Sequence, residues 1–267
     1  MSNIKTFKDY QPNNDRANQY MDRSDSNVNI GFSQSRSLDV ENPSANPNAN
    51  NAGQARPNSA QIFCYAFFPK FSWKTFTFGM TVVQIIIFIT TVIVNKAHDD
   101  KSWSCVLYKY GAKYTPAISA FHHIHRLILP IFLHGGWVHI IFNMLTQSMY
   151  GYFLEHQFGI KRFAILYFAA GFGGNLLSAV ANKYNISIGA SSSLFGLFAL
   201  QMAYLIQNYR NLGPRRNITI SFMAIIIIAN LATIGESNTI DGMAHLGGFL
   251  VGAMISFLYY QGGSTLK

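Results

Sequence analysis

Apolar residues in this chain come in long blocks separated by short polar stretches. A helix needs about 20 mostly apolar residues to cross the hydrocarbon core of a bilayer. Blocks near Phe76–Val94, Trp137–Leu154, Phe163–Ala181, Ser191–Gln207, Ile218–Ile234 and Met243–Tyr260 meet that requirement. They predict an all-α polytopic membrane protein with a six-transmembrane-helix bundle. No repeat of 20 to 50 residues stands out, so a solenoid or a duplicated transporter is not indicated.

Residues 1–72 lack such blocks. The first sixty hold six acids and six bases among many Asn, Ser and Pro residues, too little apolar surface to offset the entropy of ordering. We read 1–72 as a disordered cytosolic tail and 73–267 as the membrane domain. About forty residues, Asn95 to Gly136, separate the first two spans. They contain Trp103, Tyr108, Tyr110, Tyr114, Phe121 and the run His122-His123-Ile124-His125-Arg126, a composition suited to a membrane interface.

The composition agrees: 49% of residues are hydrophobic and 12% charged, too apolar a balance for an ordinary soluble domain. The formal charge of +9 falls entirely after residue 60. Its bases are spread through the loops and form no single stripe, which argues against a nucleic-acid partner. Lys161 and Arg162, then Arg210, Arg215 and Arg216, flank one side, against Lys183, Glu236 and Asp241 on the other. That bias predicts cytosolic N- and C-termini. The bases of the long first loop oppose it, but long loops weigh little. Cys64 and Cys105 then fall on opposite sides of the bilayer, beyond disulfide reach. The N-terminus lacks a cleavable-signal pattern and the C-terminus a prenylation signature, so the spans themselves are expected to direct insertion.

Polar side chains at bilayer depth are costly and point to a functional site. Three segments carry them: His134 to Asn143, Gly189 to Gly196, and Ala244 to Gly252. The loops at 182–187 and 235–241 start spans four and six from the same side, so Ser191 and His245 fall at similar depth. A hydroxyl becomes a nucleophile when a base within hydrogen-bond reach takes its proton, and histidine suits that task. Ser191 is the expected nucleophile and His245 its base. Ser191 opens a helix, where unpaired N–H groups favour a developing oxyanion. His139 and Asn143, four residues apart, share a helix face and can aim two donors at one oxygen, with the Ser191 amide as a third. Phe195, one turn beyond Ser191, can pack on the His245 imidazole. Asp241 lies at the membrane edge, so a Ser-His dyad is expected. Gly248 and Gly252 form a small-xxx-small motif, whose expected mate is the stripe Gly196, Ala199 and Ala203.

From Arg126 to Tyr260 these segments resemble the rhomboid family of intramembrane serine proteases. Gly189-Ala190-Ser191 matches the family's Gly-x-Ser motif opening the fourth core helix. Ala244-His245-Leu246-Gly247-Gly248-Phe249-Leu250-Val251-Gly252 matches its Ala-His-x-x-Gly-x-x-x-Gly pattern, and His139 with Asn143 matches its oxyanion pair. Glu155 falls where many members carry a structural acid. Two positions depart: Ser192 stands where Gly is common, which leaves open which serine attacks, and His125-Arg126 stands where Trp-Arg is usual. The resemblance implies a serine endopeptidase that cleaves transmembrane segments of single-span proteins, with membrane lipid as its surroundings. Mitochondrial relatives usually carry an extra helix before the six and an acid-poor leader, so the secretory pathway or plasma membrane is the expected compartment. Because water must reach Ser191, a polar cavity is expected there, with span five as a lateral gate for substrate.

Other readings compete. A zinc protease would need His-Glu-x-x-His and an aspartyl type two aspartates within spans, and neither is present. The Gly-x-Ser-x-Gly of soluble hydrolases fails at Ser193 and in context. His122, His123 and His125 fall short of a metal ligand set, and neither metal nor cofactor is expected. Asn185-Ile186-Ser187 reads as a glycosylation acceptor placed too near the membrane. A pore is disfavoured because the polar residues cluster near one face. The alternative of weight is a catalytically silent rhomboid-like protein that binds membrane clients and steers their trafficking or degradation.

Overall fold

The structure, a computed structural model, describes residues 68–97, 102–210 and 241–261, with isolated positions at 58, 60, 64, 217, 220, 221, 223–225 and 228. Most of the expected tail, and span five with its gate apart from those positions, lie outside the described residues.

Five long helices and two short ones account for most of what is described: α1 (Phe76–Ala97), α2 (Trp103–Lys109), α3 (Thr115–Phe121), α4 (Trp137–Phe158), α5 (Ile160–Ala181), α6 (Ser191–Gln207) and α7 (Gly242–Gln261). Among the described residues the β structure amounts to one isolated bridge, Lys113 with Ser187. Among the described residues three helices are long and apolar enough to cross a membrane: Phe76–Ala97, Ile160–Ala181 and Gly242–Tyr260. α4 carries more polar residues, and α6 has 17 residues.

The helices outrun the apolar blocks because a helix ends where its backbone must, not where hydropathy falls. Glu155, Lys161 and Arg162 stay helical, and the break between α4 and α5 is one residue, Gly159, at φ 80°. The first loop is ordered by α2, α3 and two 3-10 turns, Ile124–Leu127 and Leu129–Phe132. Pro116 sits in the first turn of α3, where its missing N–H costs nothing. Arg126 anchors the loop. Its Nη1 donates to the carbonyls of Tyr108 (2.8 Å) and Ala112 (2.9 Å), and its guanidinium lies 4.1 Å from the Tyr108 ring centroid.

Polarity runs opposite to that of a soluble bundle. Val82, Ile86, Ile89 and Ile93 of α1, Ile165 and Val180 of α5, and Leu250, Met254 and Phe257 of α7 point outward. Inside, Gln147 Nε2 donates to Thr81 Oγ1 (2.9 Å) and Gln84 Oε1 (3.0 Å), the Tyr167 hydroxyl donates to Gln147 Oε1 (2.6 Å), and Gln84 Nε2 reaches the Ile131 carbonyl (3.0 Å). This network joins α1, α4, α5 and the first loop through buried groups that satisfy one another, as hydrocarbon surroundings demand. Glu155 does similar work at the other end of α4. Its carboxylate accepts from the N–H groups of Phe76 (2.7 Å) and Thr77 (2.9 Å) and the Thr77 hydroxyl (2.8 Å), capping the start of α1.

α6 is the central helix, packed against α4, α5 and α7 and buried on nearly every side from Ser192 to Gln201. Glycines let its neighbours approach. A Cβ on Gly252 would lie 2.5 Å from Gly196 Cα, and one on Gly248 would overlap the Ser192 carbonyl. The adjacent Gly247 turns to α5, where a Cβ would meet Gly173 O and Gly174 Cα at 2.9 Å. The expected α6 stripe thus contributes Gly196, while Ser192 takes the contact at Gly248.

Candidate active site

Ser191 is the first residue of α6, and His245 lies in the first turn of α7. The close backbones along Gly196–Gly252 and Ser192–Gly248 bring these helix starts together, with His245 Nε2 2.8 Å from Ser191 Oγ. Phe195 lies flat on the imidazole, centroids 4.4 Å apart and planes 10° from parallel.

The run into Ser191 is fixed from outside the helix. Gly189 donates its N–H to the Pro130 carbonyl (2.8 Å) and has φ 119°, a backbone region that disfavours any side chain. Space is equally restrictive, since a Cβ on Gly189 would stand 2.8 Å from His139 Nε2 and 3.6 Å from Ser191 Oγ. That unfilled point lies within hydrogen-bond range of His139 and beside the Ser191 hydroxyl. No side chain caps the start of α6.

His139 Nδ1 accepts the N–H of Gly135 (3.3 Å). In the neutral ring the proton is therefore on Nε2, the nitrogen facing Gly189. Asn143 is turned along its own helix: its Nδ2 donates to the His139 carbonyl (2.8 Å), and its Oδ1 is buried without a partner. One amide N–H of Asn143 is thus already engaged. His134 is fully buried beside His139, with ring centroids 5.3 Å apart. Burial, reinforced by the neighbouring His139, pushes its pKa down to about 3, so the ring is neutral at physiological pH.

Ser192 and Ser193 face away from His245. Ser192 Cβ packs on Gly174 and Ser193 Oγ lies at Gly171, both on α5, and both hydroxyls are buried without partners. Of the three serines, the imidazole meets Ser191.

The Asp241 carboxylate does not bond the His245 imidazole. It accepts from the Ser178 hydroxyl, from Asn182 Nδ2 (3.2 Å) and from the N–H of Ala244 (3.0 Å), and Lys113 Nζ stands 3.8 Å away. Burial works to raise the Asp241 carboxyl. Hydrogen bonds from Ser178 and Ser187, the Lys113 charge and the Ala244 N–H outweigh it and hold the group below the usual carboxylate range. His245 Nδ1 is buried without a hydrogen-bond partner.

Sequence reasoning passed over Lys113, Ser178 and the Gln84–Gln147–Tyr167 network. Uncharged polar residues inside apolar blocks were the available signal for the glutamines. For Lys113, nothing in a loop rich in bases marked this one as buried. Among the described residues no group of three or more His, Cys, Asp or Glu is arranged to hold a metal.

Residues 122–262 match the Rhomboid domain family. The chain is 34% identical over 225 residues to Rhomboid-like protease 1 of Toxoplasma gondii, covering 82% of this chain and 76% of that protein. It is 30% identical over 192 residues to Rhomboid-like protease 3 of the same organism, 72% of each chain. With RHOMBOID-like protein 1 of Arabidopsis thaliana it shares 38% identity over 156 residues, 58% of this chain and 40% of the relative. The family match, the similarity to proteins named as proteases and the apolar helices converge: this chain is an integral membrane protein of the rhomboid family.

Proposed function

We propose that this chain is an intramembrane serine endopeptidase that cleaves transmembrane segments of single-span proteins. The observation that carries the reading is the 2.8 Å approach of His245 Nε2 to Ser191 Oγ at the heads of two helices whose backbones touch. Ser191 Oγ attacks the scissile carbonyl carbon while His245 Nε2 takes its proton. The tetrahedral intermediate collapses as His245 returns that proton to the leaving amine, and water then hydrolyses the acyl-enzyme. Phe195 holds the imidazole from one face, and among the described residues no carboxylate bonds it from behind. The dyad, rather than a triad, fits the engagement of Asp241 with other donors.

In this reading the oxyanion falls beside Gly189, within reach of His139 Nε2–H, with the Ser191 N–H and the second amide N–H of Asn143 as the further donors. One such donor is worth about a hundredfold or more in rate. Both termini on the cytosolic side, a place in the secretory pathway or plasma membrane, and the 1–72 tail complete the reading.

A serine-reactive fluorophosphonate applied to the full chain in detergent tests it. Covalent labelling of Ser191, lost in Ser191→Ala and retained in Ser192→Ala, is the expected result. The reverse pattern reassigns the nucleophile, and no labelling of the folded protein favours the client-binding role.

A further inference from the structure

Lys113 carries a charge where neither solvent nor sequence prepares for one. It sits in the first loop between α2 and α3, yet it is 0% exposed. An ammonium taken out of water is strongly unfavourable unless its N–H groups are met. Here Nζ donates to the carbonyls of Asn182 and Asn185, both at 3.1 Å, and faces Asp241 Oδ2 at 3.8 Å. The Lys113 backbone pairs with Ser187 in both directions, at 2.9 and 3.1 Å.

These partners occupy matching places. Ser187 lies four residues before Ser191, in the segment that delivers the hydroxyl. Asp241 lies four residues before His245, its carboxylate holds the N–H of Ala244, and its carbonyl accepts the N–H of His245 (3.2 Å). Asn182 touches both sides: its carbonyl takes Lys113, and its side chain donates to Asp241. The segments leading into Ser191 and His245 therefore close on one buried ammonium, and Ser178 of α5 secures the carboxylate from the helix beside them.

We infer that Lys113 is a positioning residue, which through the 182–187 segment on one side and Asp241 on the other sets the separation of the Ser191 hydroxyl and the His245 imidazole. The inference rests on the reading of Ser191 and His245 as the reacting pair. Loop anchoring alone does not account for it, because Arg126 already ties this loop to Tyr108 and Ala112 and reaches neither leading segment in doing so.

The full chain in proteoliposomes supplies the test, with Lys113→Met, Asp241→Asn and the double variant assayed on a single-span substrate and by fluorophosphonate labelling. Misplacement of reacting groups by about 1 Å costs up to roughly a hundredfold. Each single variant should lose about tenfold or more in kcat and labelling rate with KM within about twofold, and the double variant should lose no more than the worse single one. Unchanged kcat, losses that multiply, or an equal loss of kcat in Arg126→Leu would overturn the inference. Should Lys113→Met fail to fold, the nearly isosteric Asp241→Asn decides alone by the same readouts. Wild-type protein that does not label at Ser191 defeats the reading of the reacting pair. Wild-type labelling with undisturbed variants defeats only the role of Lys113.

Discussion

The aromatic ring of Phe195 covers one face of the His245 imidazole, 4.4 Å from it and inclined by 10°. Such a stacked pair is worth about 0.5–1.5 kcal/mol beyond its buried area. If it holds the imidazole in its reactive rotamer, Phe195→Leu should lower kcat by up to about tenfold and leave KM nearly unchanged. Steady-state cleavage of a single-span substrate, with thermal unfolding recorded in parallel, checks it.

Gly189→Ala should abolish turnover while the fold persists. The new methyl would enter the space 2.8 Å from His139 Nε2, on a backbone held at φ 119°. The expected outcome is loss of substrate cleavage of a hundredfold or more, roughly the contribution of one oxyanion donor, with an unchanged circular dichroism spectrum.

Gly252→Leu should damage both stability and activity. Its Cβ alone would come 2.5 Å from Gly196 Cα and 2.7 Å from Gly196 O, backbone atoms that cannot rotate aside. Overpacking of this kind typically costs about 1–3 kcal/mol, and the displaced α7 carries His245 with it. Lower thermal stability together with slower fluorophosphonate labelling is expected. A normal labelling rate would show that this contact does not set the Ser191–His245 geometry.

Glu155→Ala should destabilise without acting on the chemistry. It leaves the N–H groups of Phe76 and Thr77 without their carboxylate, and hydrogen bonds to a charged group are worth about 1.5–3 kcal/mol each. Denaturant or thermal unfolding in detergent should shift downward, with kcat preserved in the protein that remains folded.

Asp241 sets an acid limit on stability. Its folded-state pKa lies below the ordinary value, so its contribution is fully present above about pH 4 and is lost as the pH falls through the depressed folded value. Thermal unfolding followed from pH 7 down to pH 3 should show a steeper fall in the wild type than in Asp241→Asn, which begins less stable and has no such carboxylate to protonate.

The helices and the residues around Ser191 were legible because few polar side chains are tolerated in apolar blocks, so each one that occurs carries information. Spacing placed Phe195 one turn from Ser191 and put Gly248 and Gly252 on one helix face, since local helical geometry is fixed by sequence separation alone. What lay hidden depends on distant parts of the chain. Lys113 reads as one of several loop bases until the 182–187 segment is seen wrapped around it. The direction of the Asn143 amide is decided by its own helix's carbonyl at His139, a choice that spacing cannot make. The corner at Gly159 escaped because hydropathy falls before the backbone turns.

Contact of backbone on backbone between α6 and α7 has a mechanical consequence. Where Gly248 and Gly252 meet α6 no side chain is left to deform, so there the two helices cannot slide or roll by small amounts without collision, since packed interfaces of this kind shift in discrete steps. The pair should therefore travel as one stiff plate during a catalytic cycle, and whatever yields to admit a long hydrophobic guest has to do so away from that plate.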